Sequence, residues 1–226
     1  MSNKQKILFI VLFAVLGFVA LQVPVAKLEG SRSAFTLFDL FAPIATGFLG
    51  SLWGVVAVAG MELINLAVKG VSSFDAVMAI RLITPLAAAL YFSRKSLFNV
   101  IVPVAAIIAF LIMPESRQAW YFALLWLIPI VAYFLQDRWL LARALGATFT
   151  AHAVGGALWA IFNPLPASVW SGLIPIVIKE RAIFALGIAV SYLVMNNVLA
   201  LVAKKVPRVL PLVNQKYALS HPNPLL

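Results

Sequence analysis

The chain has 226 residues, 64% of them hydrophobic and 11% charged, with a mean hydropathy of +1.04; soluble domains run at roughly 45–50% and 25%. That composition excludes a water-soluble globular domain and describes one membrane domain whose apolar spans recur from end to end. The absence of cysteine removes disulfides, thiolate metal sites and cysteine nucleophiles. The net charge of +10 is scattered between apolar spans, as positive-inside bias requires, rather than gathered into a nucleic-acid surface.

Lys4 and Lys6 precede the apolar run Ile7 to Val23. The run is too long for a signal-peptide h-region and no small-x-small cleavage pattern follows, so it reads as an uncleaved first helix with a cytoplasmic N-terminus. Pro24 ends it, and a polar connection with Lys27, Glu29 and Arg32 follows. Residues 35–69 carry Pro43 and glycines at 47, 50, 54 and 60. They form either one over-long helix or two short ones broken near Gly50-Ser51. Later spans are expected over 76–92, 97–113, 118–136, 140–162 and 183–203. The segment 163–181 holds Pro164, Pro166, Trp170, Pro175 and the cluster Lys179-Glu180-Arg181, and is expected to be a connection rather than part of the last helix. Pro43, Pro85, Pro103 and Pro129 fall inside spans, where they would kink helices. The tail 207–226, with prolines at 211, 222 and 224, is expected to be extended and cytoplasmic.

Charge chooses between the two readings of 35–69. With a hairpin there, the cytoplasmic side holds ten basic residues (Lys4, Lys6, Arg94, Lys95, Arg138, Arg143, Lys204, Lys205, Arg208 and Lys216) against Asp137 alone. The outside then holds six basic residues and five acids, among them Asp39, Glu180 and Arg181. A single crossing would turn the basic tail outward, against the positive-inside rule. The expected fold is therefore an all-α, polytopic transmembrane helix bundle of six to eight spans with N- and C-termini cytoplasmic. It divides into one membrane domain, 1–206, and the tail 207–226.

Ionisable residues inside spans are the most informative, because burying them costs at least ~2.5 kcal/mol each. Glu62 lies about 10 Å and Arg81 about 8 Å inside the outer ends of adjacent spans, at 1.5 Å per residue. Either they pair with each other, or one or both meet a polar substrate; Asn65 shares the face of Glu62. The stretch Leu140 to Pro166 carries His152 near its middle. On a helix, His152, Gly156, Trp159 and Asn163 share one stripe. Such a histidine is either hydrogen-bonded to a neighbour or the floor of an outward-facing cavity, and Trp159 is either an interface anchor or a stacking wall. Ala147, Ala151 and Gly155 are spaced for close helix packing. Asn196 and Asn197, near the inner end of the last span, are suited to interhelical hydrogen bonds.

No G-x-x-x-x-G-K-[ST] loop, H-E-x-x-H or G-x-S-x-G is present, so nucleotide hydrolysis and the commonest protease and esterase chemistries lack their signatures. The expectation is a non-enzyme with no cofactor.

The stretch FTLFDLFAPIATGFLGSLWGVVAVAGMELINLAVKG, after a basic N-terminus, one helix and a loop, resembles the second and third helices of substrate-binding S components of energy-coupling-factor (ECF) transporters. The family commonly turns on Gly-Pro; here the turn is Gly50-Ser51. AHAVGGALWAIFNPLP, the loop with Trp170 and a last helix ending in Asn196-Asn197 are also similar to the C-terminal half of such proteins. The resemblance implies capture of a vitamin-type small molecule in the outer half, with the loop 24–34 and Trp170 as a lid. It also implies a transmembrane coupling subunit and two cytoplasmic ATPases as partners, in the cell membrane. The metal-specific relatives begin Met-His, whereas this chain begins Met1-Ser2, so no metal is expected. The binding residues expected are Glu62, Asn65, Arg81, His152, Trp159, Asn163 and Trp170. The alternative is a stand-alone proton-coupled secondary transporter with Glu62 or His152 as its proton site.

Overall fold

The structure is a computed structural model that describes residues 3–27, 34–69 and 75–219. The described chain is overwhelmingly helical. Among the described residues, four helices are long and apolar enough to cross a membrane: α4 (Ser51–Lys69), α5 (Ala76–Ser93), α9 (Leu140–Phe162) and α10 (Ala167–Lys205). Shorter apolar helical stretches are provided by α1 (Asn3–Leu21), by α2 (Leu37–Phe41) with α3 (Ile44–Leu49), by α6 (Phe98–Ile112), which the single turn α7 (Pro114–Arg117) follows, and by a 3-10 helix (Trp120–Leu127) leading into α8 (Ile128–Leu135). Large apolar side chains such as Leu52, Leu63, Val68, Ile101, Val131 and Leu201 are exposed on the outer faces. In water such a surface would be untenable, whereas hydrocarbon solvates it. The protein is membrane-embedded and multi-pass.

The break expected near Gly50-Ser51 is present. Gly50 adopts φ 77°, a left-handed conformation that glycine reaches without a Cβ clash. It lets α4 turn back on α3 so closely that a Cβ on Gly54 would come within 2.4 Å of Thr46 Cα. Thr46 in turn donates its hydroxyl to Ala89 O of α5 at 2.6 Å. Pro43 and Pro129 sit at the starts of α3 and α8, where a missing N–H costs nothing, while Pro85 and Pro103 lie inside α5 and α6.

Three expectations are corrected. The segment 118–136 is not one α-helix but a 3-10 helix followed by α8; Tyr91 donates its hydroxyl to Pro129 O at 2.7 Å at the start of the latter. The segment 163–181 is almost entirely helical. Residues Asn163 to Pro166 alone separate α9 from α10, a continuous 39-residue helix that runs through Pro175. At 1.5 Å per residue it is about 58 Å long, nearly twice the ~30 Å hydrocarbon core.

The third correction concerns the tail, whose described residues, 207–219, are docked rather than extended. Two 3-10 turns, Pro207–Leu212 and Gln215–Tyr217, fold back on α10. Asn196 Nδ2 donates to Asn214 O at 3.0 Å and Asn196 Oδ1 accepts from Asn214 N at 2.7 Å. Asn197 repeats the pattern, donating to Tyr217 O at 3.1 Å and accepting from Leu219 N at 2.8 Å. Leu212 and Val213 of this strap are themselves buried, joining the apolar core. The asparagines therefore hold the tail rather than a neighbouring helix.

Two aromatic clusters organise the interior. Phe9 and Phe13 of α1 pack with Phe48 of α3, which stacks on Tyr192 of α10 at 4.8 Å between ring centres. On the other side, Phe110 of α6, Phe122 and Trp126 of the 3-10 helix and Trp170 of α10 lie edge to face or tilted at 5.0–6.1 Å. Residues 24–27 and 34–36 pair as a short antiparallel ribbon between α1 and α2.

Candidate functional site

A cavity of about 590 Å³ is lined by residues of α2, α5, α9 and α10 together with Pro43 and Leu165. That volume is in the range of small-molecule sites, roughly 300–1,000 Å³. Most of its wall is aliphatic, and the polar groups converge from four different elements.

Asp39 comes from the first turn of α2. Its Oδ2 accepts from the backbone N–H of Thr36 at 2.8 Å, an N-cap contact that fixes the carboxylate at the helix start. Its other oxygen has no hydrogen-bond partner among the described residues. Arg81 of α5 and Arg181 of α10 both lie close enough to interact with this carboxylate electrostatically. Arg181 is only 5% exposed, and it is held at several points. Its Nη2 is 3.6 Å from Glu180 Oε2, Nη1 donates to Thr148 Oγ1 of α9 at 3.3 Å, and the guanidinium lies 4.5 Å above the Phe184 ring. Burial of such a charge is tolerable because opposite charge, hydroxyl and ring surround it.

His152 projects from the middle of α9. Trp126 donates its indole N–H to His152 Nδ1 at 2.9 Å. Indole nitrogen can only donate, so Nδ1 carries the lone pair and the neutral ring bears its proton on Nε2. The imidazole also packs against Phe122 at 5.6 Å and Phe149 at 6.4 Å. The indole can come this close because residue 156 is glycine; a Cβ there would meet Trp126 Cζ2 at 2.5 Å. Gly155 faces α5, where a Cβ would meet Thr84 Cγ2 at 3.0 Å, as the small-residue spacing anticipates.

Of the seven residues expected from sequence, Arg81, His152, Trp159 and Trp170 line the cavity. Trp170 does so from within α10 rather than from a loop, 3% exposed and packed against Phe110 and Phe122. Glu62, Asn65 and Asn163 are not among the lining residues. Glu62 is partly buried on α4. Asn65 is buried and accepts from Gln22 Nε2 at 3.3 Å, tying α4 to the end of α1. Asn163 lies just past the end of α9, which takes it off the helical stripe; its N–H donates to Trp159 O at 2.7 Å. Pro24 and Val25 of the expected lid are not among the lining residues either, and residues 28–33 of it lie outside the described residues.

Sequence reasoning missed Asp39, Thr148, Glu180 and Arg181 as site residues. It assigned the three charged ones to the external side by the logic of loop charges. A Thr36-x-x-Asp39 spacing, the pattern of a helix N-cap, was the available signal that Asp39 begins a helix rather than decorating a loop. Among the described residues there is no cluster of three or more His, Cys, Asp or Glu suited to a metal ion.

No family model, no curated protein and no solved structure matches the chain.

Proposed function

We propose that this protein is the membrane-embedded capture subunit of a multi-component, ATP-driven importer of a vitamin-type small molecule. The single observation that carries the reading is the cavity itself: a ligand-sized space inside a helix bundle, with Asp39, Arg81, His152 and Arg181 directed to it from four helices. A chain with no nucleotide-binding loop of its own needs partners to drive uptake, namely a transmembrane coupling subunit and two cytoplasmic ATPases. The likeness of 35–69 and 151–166 to ECF S components supports the same division of labour. In this reading all eight apolar helical segments cross or enter the cell membrane and both termini are cytoplasmic. Moving Asp39, Glu180 and Arg181 from outer loops into the cavity leaves the ten inner basic residues untouched, so the charge argument for orientation stands.

Titration of the purified chain against a vitamin panel tests the reading by tryptophan fluorescence, since Trp159 and Trp170 line the cavity. A saturable change at micromolar ligand supports it, and none across the panel rejects it. Uptake into liposomes by this chain alone under a pH gradient would instead establish a secondary transporter. Against that outcome stands the engagement of His152 Nδ1 by Trp126, because protonating Nδ1 breaks the bond. Orientation is read by single cysteines placed at residues 95 and 117 of this cysteine-free chain; labelling by a membrane-impermeant maleimide from outside is expected only at 117.

A further inference from the structure

Among the polar groups of the cavity wall, Asp39 and His152 offer hydrogen-bonding atoms of opposite sense, and the four charged side chains cancel in formal charge. Asp39 offers a carboxylate oxygen as acceptor, its partner oxygen being occupied by Thr36. His152 offers Nε2–H as donor, because Nδ1 is taken by Trp126. Among the lining residues the acids are Asp39 and Glu180 and the bases Arg81 and Arg181. An added cation would be brought against two arginines and an added anion against two carboxylates. Neither finds a net counter-charge to offset the loss of its hydration in a wall built mainly of Ala, Ile, Val, Leu and Pro. An uncharged ring meets no such penalty and gains from contact with Ile80, Pro85, Leu173, Val177 and Phe184.

Resting on the capture reading, we propose that the occupant is an uncharged heterocycle of lactam type. It donates its ring N–H to the open oxygen of Asp39 and receives His152 Nε2–H on its carbonyl. Both protein groups are pre-set by a second hydrogen bond, Thr36 to Asp39 and Trp126 to His152, so neither has to be reoriented when the ligand arrives.

The test uses four probes built on one bicyclic skeleton, titrated calorimetrically into the full chain in detergent. They are 2-quinolone (N–H and carbonyl), 1-methyl-2-quinolone (carbonyl only), quinoline-2-carboxylate (anion) and 1-methylquinolinium (cation). The expected result is that 2-quinolone binds about tenfold more tightly than each of the others, the worth of one well-placed hydrogen bond or more. Asp39→Asn keeps the Thr36 contact through its carbonyl and turns an amide N–H toward the cavity, so it abolishes the preference between 2-quinolone and its N-methyl form. His152→Phe weakens those two probes equally, by about tenfold. If either variant melts early, the ranking of the four probes on the wild-type chain decides alone. A charged probe that binds as tightly as 2-quinolone, or a preference that survives Asp39→Asn, overturns the ligand class and leaves the capture reading standing. Silence from all four probes and from the vitamin panel overturns both.

Discussion

Trp126 and His152 form a neutral, directional pair in which the indole N–H ends 2.9 Å from Nδ1 and thereby selects the imidazole tautomer. The pair exists because Gly156, one helical turn beyond His152, leaves room for the indole. Gly156→Ala is expected to displace the ring and cost about 1–3 kcal/mol, as overpacked cores do. Trp126→Phe, which leaves the space filled but removes the donor, should cost about 1–2 kcal/mol. Unfolding in mixed detergent micelles measures both, and the Gly156→Ala protein should show a shifted tryptophan emission.

Two other glycines make a matched comparison. A Cβ on Gly146 would fall 2.1 Å from the Tyr91 ring, whose hydroxyl bonds to Pro129 O. Gly60 of α4 has nothing within 4 Å of that position. Gly146→Ala should therefore lower stability by about 2 kcal/mol or more, whereas Gly60→Ala should raise it by about 0.5–1 kcal/mol through helix propensity. Opposite shifts in thermal midpoint for the same chemical change are the expected outcome.

Arg143 closes the C-terminal end of α5. Its Nε and Nη2 donate to Phe92 O and Ser93 O, and the guanidinium lies 4.6 Å above the Phe92 ring. These are carbonyls left without helical partners, at the negative end of the helix dipole. Arg143→Met should cost about 2 kcal/mol. Arg143→Lys should recover less than half of that, since an ammonium cannot reproduce the two-pronged geometry. Chemical unfolding of the two variants side by side decides it.

The docked tail supplies a kinetic prediction. Asn196→Ala removes one ring of two hydrogen bonds to Asn214, and Asn197→Ala the contacts to Tyr217 and Leu219. Each should loosen the strap by about 1.4 kcal/mol. Proteolytic cleavage within 206–219 should then accelerate about tenfold per substitution, provided opening is fast relative to cutting. Cleavage sites elsewhere should be unchanged.

Much of this architecture could be read from the chain. The span 140–162 coincides with α9, and the Gly50-Ser51 break follows from a residue type that alone adopts φ 77° easily. His152, Trp159 and Arg81 were recognisable because polar or aromatic groups within apolar runs carry an energetic signal. Asp39, Glu180 and Arg181 were illegible for the converse reason. A charge near the end of an apolar run looks like a loop marker, and only tertiary structure tells that Thr148, Phe184 and Asp39 gather around Arg181. The length of α10 was hidden by Pro166 and Pro175. One of these precedes the helix and the other lies inside it, a distinction that composition does not encode. The strap was missed because asparagine side chains bind backbone at a separation of about twenty residues, beyond the reach of any local pattern.

Ile188, in the cavity wall, and Tyr192, whose hydroxyl accepts from Asn214 Nδ2 at 3.2 Å, stand a single turn apart on α10. The same rod thus carries Trp170 near one end and the seat of the strap near the other. A spectroscopic tag on the strap, at residue 216 for instance, would be anchored to the very strut that walls the ligand chamber, yet lie clear of it. It would serve as a gauge for movements of that strut without touching the chamber.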